Sequence, residues 1–177
     1  MERREIGAVM LTLVIAGTLC MTFNTAPALA QEESTIYLYH DFTFTRDIYE
    51  PIVVCADNIV IDGNGYTLQG SWSLYGIYLG GRSGVTIKNV VIKGWWYGIC
   101  LTDSDGNTVS GNTVSDTFFG ISLENHCEYN MVSGNTVSDS WVGLDVWRYS
   151  DHNTLTDNTV SNNLYIGIEL TYWSLYN

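Results

Sequence analysis

Three acidic residues and a tryptophan in the second half of the chain have the types and spacing to act on a sugar. Asp145 and Glu169 each stand two residues after the glycine of a repeated four-residue motif. If the motif copies stack as neighbouring strands, the two carboxyl groups lie roughly 5 Å apart, the separation typical of retaining glycoside hydrolases. Glu124 and Trp147 fall beside them. The simpler alternative is a row of solvated carboxylates on an exposed sheet face.

Aromatic residues precede the same glycines in two columns. One column comprises Trp96, Phe118, Trp141 and Tyr165, and its neighbour comprises Tyr75, Tyr97, Phe119, Val142 and Ile166. We expect one column to face the core and the other to face solvent. Because flat rings match the faces of pyranose sugars, the predicted glycan-binding residues are Trp96, Trp141, Trp147 and Tyr165. Packing at a corner of the fold is the alternative.

Two histidines and a cysteine form the candidate transition-metal site. His126 and Cys127 precede one repeat, and Asp151 and His152 precede the next. Thiolate and imidazole ligands suit copper or zinc, although these spacings match no established ligand pattern.

A second candidate ion is calcium, which prefers oxygen ligands. Asp116, Asp139 and Asn162 occupy equivalent positions in successive repeats. A corner of the fold exposed to water is the alternative, and the sequence establishes no cofactor.

The element that must position these residues is a repeat. The segments Asn107–Ser115, Asn130–Ser138 and Asn153–Ser161 share the pattern Asn-x-hydrophobic-x-x-Asn-Thr-Val-Ser and recur every 23 residues, each followed by a glycine and a short alternating strand. Alternation with period 2 indicates strands rather than helices. Repeats this short cannot enclose a core alone, so each must lie on the next. The sequence predicts an all-β, single-stranded, right-handed parallel β-helix whose corner asparagines are structural.

The chain before the repeat reads as a leader followed by a cap. Arg3 and Arg4, a following apolar run and Ala28-Leu29-Ala30 predict a signal peptide over residues 1–30; a retained membrane anchor is the alternative. Residues 31–57 are predicted to form an N-terminal cap or first coil, and residues 58–177 the β-helix repeats. Asn177 falls where the next corner asparagine belongs, so we expect either a longer parent chain or end-to-end stacking.

The net charge narrows the class of binding partner, and the cysteine count limits the number of disulfides. The formal net charge of −12 would repel nucleic acid and anionic lipid, which favours a polysaccharide or cell-surface glycan as partner. We expect no membrane span after signal cleavage. After the predicted leader, Cys55, Cys100 and Cys127 remain, and an odd number in an oxidising compartment indicates small packing residues with at most one disulfide.

The segment Asp57-Asn-Ile-Val-Ile-Asp-Gly-Asn-Gly-Tyr-Thr-Leu68 and the repeated Asn-Thr-Val-Ser followed by Gly-Ile-x-Leu resemble the carbohydrate-binding and sugar-hydrolase type of β-helix. In particular they resemble the NosD-like family of periplasmic copper-binding β-helix proteins. The resemblance covers about residues 35–177 and implies the fold and an extracytoplasmic location. Members of such families include maturation factors for a copper enzyme, polysaccharide-degrading enzymes and cell-surface proteins. No catalytic residue carries over, because the polygalacturonase-like motifs are absent.

Three functions are compatible with these features. The first is a non-catalytic scaffold or glycan-binding module on the cell surface or in the periplasm. The second is a carbohydrate-active enzyme, a hydrolase or lyase, that uses Asp145, Glu169 and Glu124. The third is a NosD-like copper-handling accessory protein that uses His126, Cys127 and His152. The sequence favours the first.

Overall fold

The computed structural model describes residues 34–177, which form a parallel β-solenoid of about six turns of about 23 residues. This confirms the predicted fold class. The predicted signal peptide lies outside the described residues. Strands are numbered along the chain, and each of the five complete turns between residues 52 and 161 contributes one strand to each of three parallel sheets. None of the described residues forms a helix that is long and apolar enough to cross a membrane.

The first sheet has seven strands, which neighbour one another in the order β1 (Ile36–Leu38), β3 (Ile52–Val54), β6 (Tyr75–Gly80), β9 (Tyr97–Thr102), β12 (Phe119–Glu124), β15 (Val142–Trp147) and β18 (Ile166–Thr171). The six-stranded sheet contains β2 (Phe42–Thr43), β4 (Val60–Asp62), β7 (Thr86–Lys88), β10 (Thr108–Ser110), β13 (Met131–Ser133) and β16 (Thr154–Thr156). The five-stranded sheet contains β5 (Thr67–Gln69), β8 (Val91–Lys93), β11 (Thr113–Ser115), β14 (Thr136–Ser138) and β17 (Thr159–Ser161).

The core is a continuous apolar column inside these sheets. Equivalent residues of successive turns stack in register, so that Ile99 pairs with Ile121, and Ile121 with Leu144. All three are at most 1% exposed. The β-branched and leucine side chains fill a pleated, half-buried surface well, and no turn could bury them alone.

Two internal asparagine ladders connect the turns. Asn107 donates its backbone N–H and its Nδ2 to Oδ1 of Asn130, over 2.8 and 3.1 Å, and Asn130 makes the same two bonds to Asn153. Asn112 and Asn135 begin the second ladder in the same way. These side chains are buried and satisfy backbone groups at the corners, where the sheets supply no partner. The structural role predicted for them is confirmed.

The first turn is irregular but joins the same sheets. β1 pairs with β3, and β2 pairs with β4. The side chains of Phe44 and Ile48, 1% and 4% exposed, belong to the core. The N-terminal end of the apolar column is therefore covered by side chains of residues between β2 and β3.

Candidate functional site

The outer face of the seven-stranded sheet carries a groove of about 200 Å³ that crosses β9, β12, β15 and β18. We call it the acid–aromatic groove, because carboxylates and aromatic rings share it. Its lining residues are Tyr97, Phe119, Glu124, Asp145, Trp147, Glu169, Thr171 and Tyr172.

The strand register brings the three acidic residues to this groove. Ser122, Asp145 and Glu169 are paired across β12, β15 and β18, while Glu124 pairs with Trp147. The repeat period of the sequence predicted that these residues would be neighbours on adjacent strands. Their roles in binding or catalysis remain predictions.

Asp145 is buried although it lies on the outer face. It is only 6% exposed, and Ser122 beneath it is fully buried. The expectation of a solvated carboxylate is therefore not met, because groove side chains from several turns lie over this position. Burial is the main cause that raises the pKa of Asp145 to about 7; the hydrogen bond from Ser122 opposes the shift, and the charges of Glu169 and Glu124 add to it.

Ser122 connects two of the carboxyl groups. Its Oγ lies 3.0 Å from Oδ2 of Asp145 and 3.1 Å from Oε1 of Glu124. A hydroxyl group has one hydrogen, so Ser122 can donate to only one of the two. Ser122 therefore bonds one of the two carboxyl groups at a time and holds both of them at the same end of the groove.

An aromatic wall closes one side of the groove. The rings of Tyr97 and Phe119 stack with centroids 4.8 Å apart, and Tyr75 continues the stack at 5.4 Å from Tyr97. Burial, and next the charge of Glu124, raise the pKa of Tyr97. The Tyr97 side chain is therefore a neutral phenol that can donate a hydrogen bond. The sequence indicated this column without deciding which way it points.

The second aromatic column forms a ladder along the neighbouring corner. Trp96, Phe118, Trp141 and Tyr165 stack with successive centroid distances of 4.3, 5.7 and 5.6 Å. Trp141 and Tyr165 are 42% and 64% exposed. Phe118 and Phe119, whose ring centroids lie 5.0 Å apart in an edge-to-face contact, join this ladder to the groove wall.

The expectation that one aromatic column faces the core is wrong. The aromatic side chains of both columns are partly exposed, whereas the residues that precede them, Trp95, Thr117 and Ser140, are buried at 0%, 3% and 1% exposed. The physical reason lies at the glycine that follows the second column. A Cβ on Gly98 would lie 2.7 Å from a core methyl of Val114, so Gly98 and Ile99 both face inward. Simple alternation breaks there, and Tyr97 is turned outward.

A second cavity, of about 340 Å³, lies at the corner that follows the seven-stranded sheet. We call it the corner pocket. Its lining residues are Asn125, His126, Arg148, Tyr149, Tyr172 and Trp173. Only His126 was singled out from the sequence. The sequence signal for the other five residues is their position, because they belong to the pairs that immediately follow each glycine strand. Whether such a pair lines a pocket depends on the conformation of the corner.

The candidate metal ligands are not gathered around one point. Cys127 is fully buried in the core, where its Sγ lies 3.2 Å from the Glu124 carbonyl oxygen, and burial raises the pKa of this thiol to about 12. The ring of His126 stacks on Tyr149, whereas His152 stacks between Tyr129 and Tyr176. The two histidines thus lie in different columns. The Asp151 carboxylate accepts a hydrogen bond from the backbone N–H of Leu175.

Residues 34–177 contain no group of three histidine, cysteine, aspartate or glutamate side chains that could hold a metal ion. The donor set described above therefore does not fit a preformed copper centre. The three described cysteines are free thiols.

The calcium candidates Asp116, Asp139 and Asn162 stand at corners with left-handed φ angles of 52°, 55° and 56°. Asp and Asn tolerate this conformation because their short polar side chains can hydrogen-bond locally. The proposals of copper and calcium binding remain predictions.

The sequence matches the family described as periplasmic copper-binding protein (NosD) over residues 30–177. No curated protein and no solved structure gives a significant match. The family is periplasmic, which confirms the predicted extracytoplasmic location, and the β-solenoid agrees with the resemblance found in the repeats. Because the match covers far more than half of the chain, the protein belongs to the NosD family.

Proposed function

We propose that this protein is a non-catalytic extracytoplasmic scaffold that binds a glycan in the acid–aromatic groove. The observation that carries the proposal is the presence of flat rings and carboxyl groups on one face, contributed by successive turns of a rigid solenoid. Tyr97, Phe119 and Trp147 lie beside Glu124 and Asp145.

The chemistry of the lining suits sugars. Aromatic rings pack on the C–H faces of pyranose rings, while ionised carboxylates accept hydrogen bonds from hydroxyl groups. A protonated Asp145 would add a donor. The strands that carry these groups are held on both sides by parallel pairing, so little ordering cost accompanies binding.

Calorimetric titration of the exported protein with a panel of oligosaccharides tests this proposal. Trp147→Ala should weaken binding of the ligand that the wild type recognises by about fivefold or more, since loss of an aromatic ring stacked on a flat ligand costs roughly 1–3 kcal/mol where it has been measured for nucleobases. Tyr37→Ala is the control, because Tyr37 is an exposed aromatic residue on β1 of the same sheet. Absence of binding to every member of the panel, or equal binding by the Trp147 variant, would reject the groove as a glycan site.

A carbohydrate-active enzyme is the second candidate, and the environment of Asp145 favours it. A carboxyl group with a pKa of about 7 can act as a general acid near neutral pH, with Glu169 or Glu124 as the second carboxyl group of the pair. Mass spectrometry of the same incubations would reveal cleaved products. Asp145→Asn should abolish that turnover while leaving the fold intact; unchanged turnover would remove the assignment.

A copper-handling role rests on the family match rather than on the geometry. It requires His126, Cys127 or His152 to bind Cu(I) or Cu(II), and in the described residues these side chains do not converge. Stoichiometric copper uptake that is lost in His126→Ala would support this role. Equal uptake by the variant would exclude His126 as a ligand.

A further inference from the structure

We infer that the corner pocket is a subsite for the carboxylate of an acidic sugar, with Arg148 as its cationic contact. This inference rests on the proposed glycan-binding function and names the class of glycan: a chain that contains uronic acid. The pocket and the acid–aromatic groove are neighbours, since Tyr172 lines both.

The pocket is built from an unusual backbone. In three successive turns, two consecutive residues adopt left-handed φ angles of 53–66°: Asn125 and His126, Arg148 and Tyr149, and Tyr172 and Trp173. This conformation is costly for bulky side chains. Here it places an arginine, a histidine and several aromatic residues around one cavity.

Arg148 is the cation available to a ligand in this pocket. Two of the other basic residues are neutralised, since Arg82 pairs with Asp57 at 3.6 Å and Lys88 pairs with Asp62 at 3.2 Å. Across residues 34–177, by contrast, Arg148 has no ion pair. Its guanidinium carbon lies 4.4 Å from the centre of the Trp147 ring. This cation–π contact stabilises the positive charge and leaves the N–H groups able to bind a ligand.

Trp147 and Tyr172 link the two cavities. Their rings meet edge to face with centroids 5.6 Å apart, and Trp147 belongs to the groove while the adjacent Arg148 belongs to the pocket. A sugar ring placed on the groove side would thus have one end near the guanidinium group. His126, stacked on Tyr149 at 5.4 Å, borders the other side of the pocket.

Charge decides how an acidic sugar must lie. Glu124, Asp145 and Glu169 line the groove, so a carboxylate on the sugar is repelled there and favoured at Arg148. Guanidinium and carboxylate groups form paired, parallel hydrogen bonds, which gives both affinity and orientation. The repulsion from the net charge of −12 is screened over about 8 Å at physiological salt, whereas a direct contact is screened less.

The test compares oligomers of galacturonic and mannuronic acid with their fully methyl-esterified forms, using the exported full chain and titration calorimetry. The wild type should bind at least one free acid about tenfold more tightly than its neutral ester. Arg148→Gln should remove that preference, because acid binding weakens far more than ester binding, and should flatten the salt dependence of acid binding. Arg148→Lys should retain part of the preference, because the charge stays and the paired geometry is lost. Arg46→Gln, at an exposed site in the first turn, is the control.

Equal affinity of the wild type for acid and ester would overturn the inference and leave the proposed function standing. The same holds if Arg148→Gln weakens acid and ester alike. If neither form binds and no neutral oligosaccharide binds either, the proposed function itself fails and the subsite is rejected with it.

Discussion

At the scale of single residues, Asp145 is the group whose environment differs most from what its type suggests. It shares the outer face of the sheet with Glu169 and Glu124, yet it is buried and bonded to Ser122. Removing a carboxylate from water favours its neutral form, and two nearby negative charges favour it too. Burial and the neighbouring charges make Asp145 a candidate general acid. They also mean that ionising Asp145 in the folded protein costs free energy.

Asp145→Asn should therefore stabilise the protein at alkaline pH. The pKa of about 7 in the folded state lies above 3.8, the ordinary value for an aspartate, so between these values the folded state binds more protons than the unfolded state. Stability conferred by this group is full below about pH 4 and is lost as the pH rises to about 7. We expect the variant to gain on the order of a few kcal/mol over wild type at pH 8 and nothing at pH 4, measured by urea unfolding.

Asp139→Asn is the matched control for replacing a carboxyl group by an amide, since Asp139 is exposed on the neighbouring corner. Parallel pH profiles for wild type and Asp145→Asn would show that Asp145 is not protonated in the folded state near neutrality.

At the scale of the elements, the glycine strands determine how closely neighbouring turns approach. A Cβ on Gly120 would lie 2.4 Å from both the Gly143 carbonyl oxygen and a methyl group of Val137. The corresponding Cβ on Gly167 would lie 3.6 Å from Val160, which is an ordinary contact. The same motif residue is thus essential inside the stack and tolerant in the last turn.

Gly120→Ala should destabilise the fold by about 1–3 kcal/mol, the usual cost of forcing an extra methyl group into a packed core. Gly167→Ala should be neutral or slightly stabilising, because it restricts the unfolded chain without a clash. Denaturant midpoints of the two variants check this difference. Equal destabilisation would mean that backbone conformation, rather than the contact between turns, requires the glycine.

At the scale of the whole described solenoid, stability should vary along the axis. Ile121 and Leu144 in the middle turns are 1% exposed, whereas Ile168 and Leu170 in the last described turn are 51% and 48% exposed. Turns interact chiefly with their neighbours, so local opening is expected to begin in the turn whose apolar side chains are most exposed. The N-terminal turn differs because Phe44 and Ile48 are buried over that end of the column.

Hydrogen–deuterium exchange should show this gradient. Amides of β17 and β18 are expected to exchange orders of magnitude faster than those of β11 and β12, with β3 protected nearly as well as the middle strands. Mass spectrometry of peptides from each turn measures it. Uniform exchange across all turns would indicate that the solenoid opens only as one cooperative unit.

The sequence by itself determined the architecture, because each repeat position has the same surroundings in every turn. The 23-residue period sets which residues pair, so the register of Ser122, Asp145 and Glu169 and the asparagine ladders could be predicted. Burial of Ile99 and Leu101 followed from alternation within one strand. Family and location were indicated by the same repeated residues.

Only the tertiary structure decided what the candidate site is. Alternation breaks at Gly98, so the outward direction of Tyr97 depends on the close contact that this glycine makes with the core and the next turn. The raised pKa of Asp145 arises chiefly from its burial, and the corner pocket exists because consecutive residues at three corners adopt left-handed conformations. A repeat pattern records the surroundings that all turns share, whereas these properties depend on differences between turns and on the paths of the corners.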